Sequence, residues 1–254
     1  MHDATETRLL TENRLLCAVP AAEMDFLRPY LVPGFFKAGT LLAQAGDPVR
    51  QCYFPNRGMI SLLAVTEQGN TVEVGYTGRE GMFGMATILG KNEMPYQALV
   101  QADADCLVVD SVFVYSLFKK GGVFHDLLLR YMYALLRQFS QTCVCNHFHT
   151  IEARLCRWLA VMCERSGNRH LTLTQEFLAH MLGVQRTSVG MIATSLQASG
   201  VIRYSRGRVE IIDYDRLVAS ACECFQIVKK EYEDLFDQGV DPFIRQSKGN
   251  GIRA

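Results

Sequence analysis

The sequence predicts an α+β chain in which a β-rich first half and a mainly helical second half meet at one long helix. Three observations lead there. Between positions 35 and 110, short apolar runs alternate with Gly, Pro, Asn and Asp punctuation, the pattern of a closed or rolled antiparallel sheet. From 121 to 148 the punctuation stops and apolar residues recur three and four apart, as on a helix. After 149, short amphipathic segments are divided by turns and followed by a hairpin. At 254 residues the chain accommodates about two domains. With 49% hydrophobic and 20% charged residues and no low-complexity tract, it should fold throughout except at its two ends, which read as loose. The expected divisions are 14–120, a β-roll; 121–148, a connecting helix; 149–220, a helical domain with a small β appendage; and 221–254, a C-terminal helix and tail.

In the first half, the stretches FFKAGTLLAQAGD, CYFPNRGMISLLAVTEQGNTVEVGYTG and ALVQADADCLVVD supply the strands, with a hairpin tip at Glu67-Gln68-Gly69-Asn70. The helix VFHDLLLRYMYALLRQFSQTCVCNHF carries two apolar stripes. One runs through Leu128, Tyr131 and Leu135 and continues to Gln138; the other runs through Leu129, Met132, Leu136, Phe139 and Cys143. One stripe suffices to dock on the sheet. The other needs a partner, either a second copy of the helix or another part of the same chain. The expected dimer residues are Leu128, Tyr131, Leu135 and Gln138. Beyond it, IEARLCRWLAVMCER places Ile151, Leu155, Trp158, Leu159 and Met162 on one face, Gly167 ends that helix, and a terminal helix is expected from near Asp215.

Composition narrows the function classes. The opening MHDATETR lacks the cationic and apolar blocks of a leader, and no run of ~18 apolar residues occurs. The chain is therefore expected in the cytoplasm with no membrane partner. Nine cysteines lie between Cys17 and Cys224 without a CxxC pair, which argues for reduced, buried thiols over a disulfide framework or a zinc ribbon. Cys143 and Cys145, like Cys222 and Cys224, are two apart, a spacing that separates faces on a helix, so packing is expected of them. His147, His149 and Glu152 resemble a cupin-type metal motif, the best case for an enzyme. The glutamate comes too early and the segment falls at a helix junction, so no metal and no cofactor are expected. No nucleophile elbow, P-loop or dinucleotide fingerprint occurs, and catalysis is not expected. The 26 basic and 26 acidic residues cancel, so any nucleic-acid contact must rest on a local basic face.

Such a face is predicted around Gln175–Thr194. Ala179 is small enough for a second helix to cross it, Gly183 can take the positive φ of a tight turn, and Val189 and Ile192 are apolar where two crossed helices need a core. Leu178, Leu182, Val184 and Leu196 complete that core. Thr174 is placed to cap the first helix and Glu176 to sit in its first turn. The second helix opens with Gln185, Arg186, Thr187 and Ser188, side chains suited to base edges and phosphates, with Arg186 able to donate twice to guanine. The hairpin that follows adds Arg203, Arg206 and Arg208 about a turn at 205–207, where a wing would meet the DNA backbone. From Thr172 to Ile212 four arginines face two glutamates, a net of two positive charges. These residues predict a DNA-binding winged helix-turn-helix, the alternative being an adaptor that uses the same motif for protein contacts.

Three stretches resemble the Crp/Fnr family of regulators: KAGTLLAQAGD at 37–47, GREGMFGMATILG at 78–90, and LGVQRTSVGMIATSLQASGVI at 182–202. The resemblance implies a cyclic-nucleotide-binding-like β-roll, a long dimerisation helix and a winged helix-turn-helix. It further implies a homodimer on palindromic promoter DNA, with RNA polymerase as a possible partner and a small-molecule or redox effector of unknown identity. Arg186 falls on the family's guanine-reading arginine. Thr187 stands where the family usually has glutamate, and Met191 where an arginine often follows the glycine, so the target sequence does not transfer. The cyclic-AMP-binding members place a glutamate after Phe-Gly and an arginine before the next strand; Met85 and Tyr96 stand there instead. A buried cyclic phosphate would remain unpaired at a cost of several kcal/mol, so no cyclic-AMP binding is expected. An iron–sulfur cluster at the N-terminus would need more than Cys17 there, with Cys52 and Cys106 isolated.

Overall fold

The computed structural model describes residues 12–237; the tail after 237 and the first eleven residues, read above as loose ends, lie outside the described residues. Two short helices, α1 (Arg14–Cys17) and α2 (Ala21–Leu27), precede an antiparallel sheet of β1 (Val32–Phe36), β2 (Leu41–Ala43), β3 (Gln51–Val65), β4 (Thr71–Thr77) and β5 (Gln97–Asp110). Its order is β1-β5-β3-β4, with β2 also on β5. The register of β3 against β5 shifts repeatedly between Pro55 and Ile60, and these bulges bend the two long strands into a roll. Thr66 and Asn70 close the hairpin tip expected at 67–70, the Thr66 N–H donating to the Asn70 carbonyl at 2.9 Å. The roll is filled by apolar side chains including Tyr53, Ile60, Leu62, Phe83, Ala98 and Val100.

Helix α3 (Ser111–Lys119) leads to α4, the 26-residue helix Val123–Phe148. The free N–H groups that begin α4 are met from far away in sequence: the Glu23 carboxylate accepts from Val123 N at 2.9 Å and Phe124 N at 2.8 Å. One face of α4 lies on the roll. The Tyr131 hydroxyl donates to the Met82 carbonyl at 3.1 Å and shares a 2.7 Å hydrogen bond with Thr77, while Gln138 Oε1 accepts from Tyr76 N at 2.9 Å.

This corrects the dimer assignment. Leu128, Tyr131, Leu135 and Gln138 are all buried within the protomer, because the polar ends of Tyr131 and Gln138 find partners on β4 and the loop after it. The exposed row lies on the other side: Leu129, Tyr133, Leu136 (55% exposed), Val144 and Phe148 (74%).

The second half comprises α5 (Ile151–Ser166), β6 (His170–Thr172), α6 (Gln175–Leu182), α7 (Arg186–Ala198), β7 (Ile202–Ser205), β8 (Arg208–Ile211) and α8 (Tyr214–Ser220). Thr150 caps α5, and Gly167 ends it in the left-handed region, where the sequence placed the stop. Strand β6 adds a third strand to the hairpin, in the order β6-β8-β7. The terminal helix expected from Asp215 is two helices: α8 stops at Ser220, and α9 (Cys224–Asp234) turns back along α4, where Glu231 meets Arg137 at 3.5 Å and Tyr232 approaches Tyr131. Helix α5 is buried nearly all round, Arg154 and Arg157 included, since it lies between the roll and the rest of the second half. Among the described residues no helix is long and apolar enough to cross a membrane.

Candidate DNA-binding site

The two helices α6 and α7 are set by local chemistry. Thr174 Oγ1 accepts the Phe177 N–H at 3.1 Å and so starts α6. Gly183 ends it at φ 63°, ψ 42°, a left-handed conformation that costs a side-chain-bearing residue about 1 kcal/mol. The Val184 N–H then returns to the Ala179 carbonyl at 3.0 Å, which tightens the turn into α7. Leu178, Ala179, Leu182, Val189 and Leu196 are buried, and Val184 and Ile192 are partly so, forming the core between the two helices.

Gln185 is the N-cap of α7 and Arg186 its first residue. Gln185, Arg186 and Thr187 are exposed together, while Ser188 is partly covered. Arg186 makes no ion pair among the described residues. The chain's polar groups and the unpaired N–H groups of a helix start thus face outward at one point, an arrangement suited to phosphate and base edges. Met191 is exposed on the same helix.

Strands β7 and β8 are joined by Arg206 and Gly207, whose φ values of 48° and 75° are those of a two-residue hairpin turn matched to strand twist. Arg206 is the only described non-glycine residue with positive φ. Arg203, Arg206 and Arg208 are all exposed. Arg203 is neutralised across the hairpin by Glu210 at 2.6 Å, so Arg206 and Arg208 carry the uncompensated charge of the wing. A groove of about 760 Å³ lies between these arginines and β6. Tyr204 fixes the wing: its N–H donates to Gln197 of α7 at 2.8 Å, and its hydroxyl donates to the Leu173 carbonyl at 3.0 Å.

This half is packed on the roll. Glu80, from the segment after β4, is fully buried and accepts from Arg165 Nη1 of α5 at 2.7 Å. Burial works against the Arg165 charge, but Glu80 and Tyr76 outweigh it and hold the guanidinium pKa above its ordinary value. Gln101 of β5 touches the Met181 sulfur at 3.0 Å, and Val72 of β4 lies against Gly183. The roll therefore contacts the helix-turn-helix itself. Of the two effector-pocket positions singled out in the sequence, Met85 is buried in the main core and Tyr96 leans on Phe139 of α4, ring centroids 5.5 Å apart.

Two family models match in tandem: a cyclic nucleotide-binding domain over residues 33–120 and a Crp-like helix-turn-helix domain over 153–220. The chain thus pairs a cyclic nucleotide-binding domain with a Crp-like helix-turn-helix domain, and in this it is similar to the Crp/Fnr family. The global nitrogen regulator of Nostoc sp. is 21% identical over 212 residues, which span 80% of this chain and 95% of that protein. A Crp/Fnr-family transcriptional regulator from Eubacterium rectale superimposes with a TM-score of 0.65 at 16% identity, covering 82% of this chain and 97% of that one. FixK2 from Bradyrhizobium japonicum gives 0.64 at 13% identity, covering 76% and 98%. The fold, with its Crp-like helix-turn-helix, is that of Crp/Fnr-like transcription regulators.

One cluster escaped the sequence reading. Cys145, His149, Cys222 and Cys224 converge, although their spacing predicts separate packing roles for the cysteines and no metal ligands. The spacing argument holds for Cys143, which is exposed while Cys145 is buried. It fails for Cys222, because α9 begins only at Cys224 and the bend before it turns both thiols the same way. The Cys-x3-His spacing of Cys145 and His149, which share a helix face, was the available signal.

Proposed function

We propose that this protein is a homodimeric, sequence-specific regulator that reads palindromic promoter DNA with the start of α7 and grips the flanking backbone with its wing. The observation that carries this reading is the joint exposure of Gln185, Arg186 and Thr187 beside Arg206 and Arg208, with the wing hydrogen-bonded to α7 through Tyr204. Arg186 is assigned to a guanine, Gln185 to an adenine or a phosphate, Thr187 and Ser188 to phosphate oxygens, and the wing arginines to the backbone. The exposed row Leu129, Tyr133, Leu136, Val144 and Phe148 supports dimerisation through α4, since pairing two such helices removes five large apolar side chains from water. The signal sensed by the roll is not cyclic AMP on this reading: Met85 and Tyr96 offer neither a carboxylate to the ribose nor a cation to the phosphate.

Selection of bound duplexes from a randomised pool tests the proposal. An inverted repeat with half-sites about 34 Å apart is expected. Sedimentation should give a dimer that Leu136→Lys converts to monomer. Enrichment of no motif, or a wild-type monomer, would refute it.

A further inference from the structure

The joint between α4 and the DNA-binding half holds a set of donors that none of the functions above uses. Cys145 and His149 lie on the last turn of α4 and the residue that ends it; Cys222 and Cys224 lie in the bend before α9 and at its first residue. The four ligand atoms are all within 4.8 Å of one another, with Cys145 Sγ to Cys222 Sγ at 3.5 Å and Cys224 Sγ to His149 Nδ1 at 3.4 Å. A tetrahedral zinc ion, with bonds of about 2.3 Å to sulfur and 2.0–2.1 Å to nitrogen, holds its donors about 3.5–3.8 Å apart. The two shortest edges, 3.5 and 3.4 Å, are close to that size, and the whole set, within 4.8 Å, needs about 1 Å of contraction at most to reach it. An iron–sulfur cluster spreads its donors over two or more irons and needs a wider set. A disulfide needs sulfurs about 2.05 Å apart. We propose that Cys145, His149, Cys222 and Cys224 form a Cys3His site for a single thiophilic divalent cation of the zinc class.

The surroundings support this assignment independently. Glu223 Oε1 lies 3.1 Å from His149 Nε2, so the carboxylate holds the proton on Nε2 and leaves the Nδ1 lone pair directed at the sulfurs, the usual outer-shell arrangement of a metal-bound imidazole. Gln141 Nε2 donates to Cys224 Sγ at 3.2 Å, a bond that favours a thiolate. The buried Arg157 guanidinium is coupled electrostatically to Cys145 and Cys222, and offsets part of the negative charge of three thiolates around one divalent ion. The buried cysteines pack with one another and with Ala153, apart from the main core, so filling space is not what brings them together. Three thiolates and one imidazole are a closed, water-free set, which suits a structural ion rather than a catalytic one. Thr150, the residue after His149, caps the first helix of the DNA-binding half. The ion would therefore tie the end of α4, the start of α9 and that helix into one joint.

The test uses the full chain, stripped by chelator under reducing conditions and reloaded with zinc or cobalt(II). One ion per chain is expected. Cobalt should give the intense visible bands of tetrahedral coordination and a near-ultraviolet thiolate charge-transfer band, and zinc should raise Tm by at least about 5 °C. Cys222→Ser should lose the tetrahedral spectrum. Glu223→Gln, which leaves all four donors, should weaken zinc about 10-fold or more, and Cys143→Ser should change nothing. Substoichiometric metal in the wild type, a weak octahedral cobalt spectrum, a tetrahedral spectrum that survives Cys222→Ser, or equal affinity in Glu223→Gln would each overturn the proposal.

Discussion

Replacing Glu80 by Gln should cost about 2–4 kcal/mol of folding free energy, although the change is nearly isosteric. Glu80 is 0% exposed and the Arg165 side chain 14%, so the substitution leaves a guanidinium in a dry site without its counter-charge. Breaking one side of a buried pair typically costs about 3–5 kcal/mol. Part of that is offset here. Arg165 lies over the rings of Tyr76 and Tyr232, with centroids at 5.6 and 5.9 Å, each contributing roughly 0.5–1 kcal/mol. The amide of Gln can also still accept one hydrogen bond. Urea unfolding can be followed through Trp158, the only tryptophan, which is buried in α5, the helix that carries Arg165. The double variant Glu80→Leu, Arg165→Met should recover most of the loss, because an apolar pair removes both desolvation costs. A loss below about 1 kcal/mol in Glu80→Gln, or a double variant equal to the sum of its singles, would refute the assignment of this pair as the polar clamp between roll and DNA-binding half.

Three further outcomes are expected. A Cβ on Gly81 would lie 2.2 Å from the Tyr131 ring, so Gly81→Ala must displace α4 and should lower stability by about 1–3 kcal/mol in the same urea assay. Arg206 is held at φ 48°, so Arg206→Gly should raise stability by about 1 kcal/mol while weakening DNA binding and reducing the slope of log affinity against log salt by about 1. Burial raises the pKa of Glu73, more than Ser61, Arg157 and Trp158 lower it. A carboxyl raised in the folded state lends stability below its unfolded pKa of ~4.3 and loses it as pH climbs through the folded value. Glu73→Gln should therefore exceed wild type in unfolding free energy at pH 7, with the advantage vanishing near pH 4; an advantage that grows toward acid would contradict this.

The helix-turn-helix was legible in the sequence because everything that builds it is local. Thr174, Ala179, Gly183 and Val189 answer steric demands within about twenty residues, and each occupies its expected place. The orientation of α4 was not legible in the same way. Both stripes are apolar, and what selects the inward one is a pair of long-range polar contacts, Tyr131 with Thr77 and Gln138 with Tyr76. Gln138 is the one polar member of that row, and its Oε1 is met by the Tyr76 N–H of the sheet, a contact 62 residues away in sequence. The Cys–His cluster was hidden for a related reason: it joins positions 77 apart in sequence, and depends on where α8 stops and α9 begins. Strand β6, three residues long, leaves no periodic trace.

The most direct measurement of the central claim is fluorescence anisotropy on a selected palindromic duplex, comparing wild type with Arg186→Ala over a range of salt concentrations. The account predicts a loss of about 1–3 kcal/mol in affinity for the selected site, relaxed discrimination at one guanine per half-site, and far less change on unrelated DNA. Equal affinity of the two proteins for the selected duplex, with discrimination intact, would contradict it.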